Sequence, residues 1–348
     1  MRISYWSSVR ISALMLSILS QNAQAGRWNG SNDPAIMDPN FIYQLKQLPL
    51  KGSLDYTPWS ETYWPSKQGS INLRWNQPSP VGFDYHSPSK AEAMSMSREQ
   101  LSRLAPSEKY DLFMGKYDYP LKKDVQGIAT PSAKYWSGIC DGWSLAALQY
   151  KEPKAVDMVN PDGIVIPFGA SDVKGLMSYA AARHFDVETK QVGGRCSGIG
   201  RVLGNASCAD INAGSLHVVM TNQLGIKKQG FISEIDPGKE IWNQATFAYS
   251  YTLLGSARSE DGAYGVRVQA TLYYADELEV SEWEPVVGTD KNKVGKLELD
   301  YILDLDSSGN IIGGSFMSGI RPDFVWLPTN HLEFKDYLDG INKIYTPN

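Results

Sequence analysis

The rhythm of apolar side chains changes along this chain of 348 residues. Over 89–104 and 107–114 they recur at helical spacing, and Pro106 divides the two runs. Over 139–149 they crowd together. Trp143, Leu145, Ala146, Ala147 and Leu148 cover so much of the surface that a buried helix is predicted, ended before Pro153. Another helix is predicted over 171–184, with Ser171 or Asp172 as its N-cap. Beyond it, β-branched and aromatic runs separated by Gly, Asn and Asp predict strands over 216–224, 230–235, 247–254, 264–274, 296–305, 311–316 and 324–326. Helices first and strands afterwards give an α+β class with a C-terminal antiparallel sheet. Ahead of both, 26–54 reads as an extended polar arm, and 55–85 as an aromatic, Pro-rich stretch laid irregularly on a core.

Residues 1–25 carry Arg2 and Arg10, a short apolar stretch over 11–19, and the tail Ala23-Gln24-Ala25. These are the three parts of a secretory signal peptide, which predicts secretion, with the periplasm as the alternative. No stretch is long and apolar enough for a membrane span. Lys and Arg number 33 against 38 Asp and Glu; without Arg2 and Arg10 the balance is 31 against 38, a net charge of −7. An acidic chain with no Lys/Arg block is a poor partner for nucleic acid.

Three cysteines are an odd number for an exported chain. Cys196 and Cys208 flank a Gly/Ser-rich loop that a disulfide would close, worth about 3 kcal/mol in the chain-entropy model. Two reduced thiols, or a bridge to Cys140, are the alternatives. With that pair closed, Cys140 is left over, in the segment PSAKYWSGICDGWSLAAL (131–148). It stands at the start of a predicted helix, whose N-terminus lowers a thiol pKa and offers N–H groups to an oxyanion. Gly138 and Gly142 beside it would let a substrate carbonyl approach the backbone. A buried core thiol is the plain alternative.

A nucleophilic thiol needs a base. His86 lies in a polar turn, His184 at a predicted helix C-terminus and His331 in a terminal loop. His217 differs: it begins an apolar predicted strand, from which an imidazole can face a helix N-terminus as in papain-like Cys–His sites. A satisfied core histidine is the competing reading. Asp236, one hairpin further, is the candidate to orient the ring, and Asn243 competes for that role. Trp136, Trp143 and Trp242, with Asn243, are candidates to line a substrate site, against simple core packing.

Five segments taken in order resemble the transglutaminase elicitor family. They are TPWSETYWPSKQGSINLRW (57–75), YWSGICDGWSLAAL (135–148), CADINAGSLHVVMTNQLG (208–225), EIWNQ (240–244), and LDLDSSGNIIGGSF with RPDFVWLP (303–328). The resemblance implies a papain-like core within one catalytic domain, 55–348. It implies protein-glutamine γ-glutamyltransferase activity that uses calcium. A glutamine-bearing protein and a primary amine would be the substrates, and a monomer is expected. Carried over by position, Cys140 is the nucleophile, His217 the base and Asp236 the third member. Two departures stand out. Asp141 follows the nucleophile where His is common, and an acid there raises the thiol pKa. Ala245 follows Trp-Asn-Gln where the elicitor core has Pro. For calcium, Asp304 and Asp306 open a loop-like DLDSSGN, yet Ser315 stands where an EF-hand needs Glu, and an ordinary β-turn competes. A cysteine protease or glutamine deamidase on the same residues, and a non-catalytic elicitor-like surface protein, are the rival functions.

Overall fold

The computed structural model describes residues 26–28, 30–77, 83, 85–195, 210–236, 238, 240–258, 264–317 and 319–348. The expected signal peptide and the expected Cys196–Cys208 pair lie outside the described residues. Among the described residues no helix is long and apolar enough to cross a membrane.

The N-terminal half is helical: α1 Lys90–Ser95, α2 Arg98–Ser102, α3 Pro106–Phe113, α4 Pro120–Gln126, α5 Cys140–Gln149 and α6 Ala170–Arg183. The helix expected over 89–104 is broken in two. Ser97 starts a new one, its hydroxyl accepting the Gln100 N–H at 3.2 Å while the Gln100 side chain accepts the Ser97 N–H at 2.7 Å. The N-cap of α6 is Gly169; Asp172, an expected N-cap, instead reaches back to accept the Gly169 N–H at 2.7 Å. The helical layer is tied by buried ions. Lys109 Nζ lies 2.6 Å from Asp172 with neither side chain exposed, and Trp75 Nε1–H donates to the same carboxylate at 2.8 Å.

A short antiparallel pair, β2 Val156–Val159 and β3 Val165–Phe168, stands apart. The main sheet holds β1 Lys51–Ser53, β4 Thr189–Gly193, β5 Phe231–Glu234, β6 Asn243–Arg258, β7 Tyr264–Ala275, β8 Val294–Leu305, β9 Ile311–Phe316 and β10 Phe324–Pro328. Its order is β4-β10-β5-β6-β7-β8-β9, with β1 added to β6, and every pairing is antiparallel.

One expected strand is wrong. Residues 216–224 fall within α7, Ala213–Met220, and a π-helical continuation over Thr221–Lys227. The run is buried on every side, so its apolar positions carry no periodicity to separate helix from strand. The start signal lies just upstream, where the Asn212 side chain accepts the N–H of Gly214 and of Ser215.

The sheet divides two cores, because successive strand residues face opposite ways. Ile232, Ala245 and Trp326 pack with the apolar side chains of α3, α5 and α6. Their strand neighbours Phe231 and Val325, joined by Tyr249, Tyr251, Leu299 and Leu303, pack with those of α7. A register shift between Thr246 and Ala248 changes which face the odd-numbered side chains of β6 occupy. The expected arm, 26–54, is more than an extended polar segment: Met37, Phe41, Leu45, Leu48 and Leu54 are buried in the α7 core.

Candidate active site

Cys140 is the first residue of α5, and α5 is pinned to the sheet beside it. Ser144, one turn on, places its hydroxyl 2.7 Å from both the Cys140 carbonyl and the Asn243 carbonyl, with its one proton shared between them. The flanking glycines serve close contact with the protein's own backbone, where a substrate carbonyl had been expected. A Cβ on Gly138 would stand 2.3 Å from the Tyr63 carbonyl oxygen, and one on Gly142 2.1 Å from that of Ser178 in α6. Ile139 N–H donates to the same Tyr63 carbonyl at 2.9 Å, which fixes the approach to the helix.

The Cys140 side chain lies between Tyr63, β6 and the segment entering β6. Only 6% of the residue is exposed, and its S–H donates to the Ile241 carbonyl at 3.8 Å. Burial, and then the charge of Asp141, push the thiol up to about 12; hydrogen bonding to Asn243 works the other way, and Glu277 adds to the rise. The helix N-terminus does not win here, and the resting group is a thiol. Glu277 follows the end of β7 and is pushed up to about 7 by burial, then by Asp276. Its Oε1 is buried without a hydrogen-bond partner. Both Glu277 and Cys140 act on Tyr63, and the Leu278 N–H donates to the Glu61 carbonyl at 3.2 Å, so residues 61–63 join the two sites.

The other expected site residues scatter. His217 sits in α7, against the opposite face of the sheet from α5, so the expected Cys140–His217 pair is not formed. Its ring is fully buried: Nδ1 is 2.7 Å from the Tyr301 hydroxyl, Tyr251 packs edge-on at 4.5 Å, and Nε2 has no partner. Burial alone lowers its pKa from 6.5 to about 3. The plain reading of a core histidine describes it. Asp236 shapes its own turn, accepting the Gly238 N–H at 2.8 Å and the Glu240 N–H at 2.9 Å, and orients no imidazole. Trp143 is wholly buried and donates to the Trp59 carbonyl at 3.1 Å, so it is a core residue. Trp136 is half-buried under the Lys134 ammonium, 5.0 Å above its ring. Trp242 and Asn243 do flank Cys140's surroundings. Trp242 stands edge-on to Tyr63 at 5.1 Å, and Asn243 Oδ1 accepts the Trp326 Nε1–H at 2.9 Å.

The stretch that carries this arrangement is matched by a sequence profile. The profile of the transglutaminase elicitor family fits residues 120–338, more than half the chain. The chain belongs to that family. The crystal structure of the GP42 transglutaminase from Phytophthora sojae has a similar fold. Its TM-score is 0.66 over 89% of this chain and 93% of that one, at 23% identity. No curated protein matches the chain.

In this family member the residues expected to hold calcium do not build a calcium loop. Asp306 spends its carboxylate on its own turn, accepting the N–H of Ser308 and of Asn310 at 2.9 Å each and the Asn310 amide at 3.0 Å. Asp304 is buried in β8, 2% exposed. Among the described residues no three His, Cys, Asp or Glu side chains converge on a metal position. Two further carboxyls lie in the surroundings of Cys140: Glu234, which in sequence is one acidic residue no more distinctive than Asp210, and Glu277, which no motif marks; Glu234 ends β5 and Glu277 lies just past the end of β7. Glu234 closes the strand FISE, which the fold buries at all four positions, and the sequence carries no sign of that burial.

Proposed function

We propose that this protein is a protein-glutamine γ-glutamyltransferase with Cys140 as its nucleophile. The observation that carries the reading is the placement of the thiol at the head of α5, pinned against the Ile241–Asn243 segment, in a chain that belongs to the transglutaminase elicitor family. A papain-like core remains what the family resemblance implies; the support for it is the cysteine-headed helix packed against an antiparallel sheet. The sulfur attacks the γ-carboxamide carbon of a protein-bound glutamine. The C–N bond breaks, ammonia leaves with a proton, and a thioester remains; a primary amine then displaces the sulfur and forms the new amide.

In this reading Glu277, whose charge acts on Cys140, is the carboxyl that would take the thiol proton. A carboxyl raised to about 7 is matched to base catalysis near neutrality; Gln244 favours its ionised form, and its buried Oε1 has no hydrogen-bond partner. The Tyr63–Trp242 pair restricts water around the sulfur, which favours transfer over hydrolysis.

The test is incorporation of a fluorescent primary amine into casein by wild type and Cys140→Ala, with and without chelator. Wild type should label casein and Cys140→Ala should not. Ammonia release without labelling would make the protein a deamidase, cleavage of casein a protease, and neither from wild type would remove the enzymatic reading.

A further inference from the structure

We propose that Glu234 is a positioning residue for Cys140, holding the Ile241–Trp242 segment against the thiol. The proposal rests on Cys140 being the nucleophile. Glu234 ends β5 and lies directly opposite Asn243, so its side chain shares the sheet face that carries Ile232 and α5. It is fully buried. Its Oε1 accepts two backbone N–H groups, from Asp236 at 3.2 Å and from Trp242 at 3.1 Å, the two ends of the segment joining β5 to β6. The Trp242 amide follows directly from Ile241, whose carbonyl takes the Cys140 S–H. One carboxyl oxygen therefore fixes both the acceptor that faces the sulfur and the indole beside it.

Turn formation alone does not require this group. Asp236 already caps the turn through Gly238 and Glu240, and the Ile235 N–H closes the hairpin on the Trp242 carbonyl at 3.0 Å. Glu234 Oε2 meanwhile is buried without a hydrogen-bond partner, which is costly for a group that only shapes a loop. Burial lifts the carboxyl to about 8, with Asp323 adding to the rise, against the Trp242 and Asp236 N–H groups and Arg195, which favour the ionised form. Near neutrality the group is largely the uncharged acid, and glutamine copies its shape and its acceptor.

The experiment measures alkylation of Cys140 by iodoacetamide in the native protein, followed on the peptide that contains it, alongside amine incorporation. Glu234→Gln should stay within about twofold of wild type in both. Glu234→Leu removes the acceptor and Glu234→Asp withdraws it, so each should expose the thiol and speed alkylation about tenfold while amine incorporation falls by a similar factor. Where Glu234→Leu fails to fold, judged by circular dichroism, Glu234→Asp carries the test. Wild-type alkylation rates in folded Leu or Asp variants, or a Gln variant as reactive as Leu, would overturn the proposal. Alkylation needs no turnover. If wild type incorporates no amine yet these variants alkylate faster, acyl transfer falls and the positioning of the thiol stands.

Discussion

His217 offers the sharpest contrast between a catalytic and a structural histidine. In the fold it is buried beneath Tyr251 and Tyr301, with its pKa lowered from 6.5 to about 3. The unfolded chain therefore binds a proton that the folded chain refuses, and stability falls as pH drops from about 6.5 toward 3. At roughly 1.4 kcal/mol per pH unit the whole effect approaches ~5 kcal/mol, of which about 2 kcal/mol is lost between pH 7 and pH 5. His217→Gln removes the titration and keeps a polar partner for the Tyr301 hydroxyl. Urea unfolding of both proteins at pH 7, 6 and 5 reads the difference, since contributions from other groups cancel in the comparison. The variant should lose about 2 kcal/mol less than wild type between pH 7 and 5, whatever its stability at pH 7. At pH 7 it should also retain amine incorporation within a few-fold, whereas loss of a general base costs about 10²–10⁴-fold. Parallel pH slopes for the two proteins would refute the burial argument, and a collapse of activity in the folded variant would restore His217 to the chemistry.

Glu277→Gln should lower amine incorporation about 100-fold and abolish the rise of activity with pH through about 7, because the carboxylate form is the one that accepts the proton; a pH–rate profile checks both. Lys109→Met leaves the Asp172 carboxylate buried without its cation and should cost about 3–5 kcal/mol in urea unfolding. Replacing both partners by apolar residues should recover much of that loss. Gly142→Ala forces a Cβ to within 2.1 Å of the Ser178 carbonyl, so α5 must move off α6. The melting temperature should fall by an amount corresponding to about 1–3 kcal/mol, and amine incorporation should fall with it.

Several features were written in the sequence because they depend on local chemistry. The helix beginning at Cys140 and the helix over most of 171–184 follow from dense apolar spacing, and β9 matches its predicted limits. The α+β division follows from where those patterns change. The thiol and its helix were likewise marked by residue type and order, and the neighbouring EIWNQ segment by its family resemblance. Tertiary structure decided the rest. A run buried on all sides shows no periodicity, so 216–224 could not declare itself helical. Which face of the sheet a strand residue joins depends on register and on the irregularities of β6, and the packing of α7 on the face away from α5 put His217 across the sheet from Cys140. The two carboxyls of the thiol's surroundings, Glu234 and Glu277, stand 94 and 137 positions further along the chain (234 − 140 and 277 − 140), at the end of β5 and just past the end of β7. Burial sets their proton affinities, and burial is a property of the folded sheet and helices together, with no counterpart in the spacing of residues along the chain.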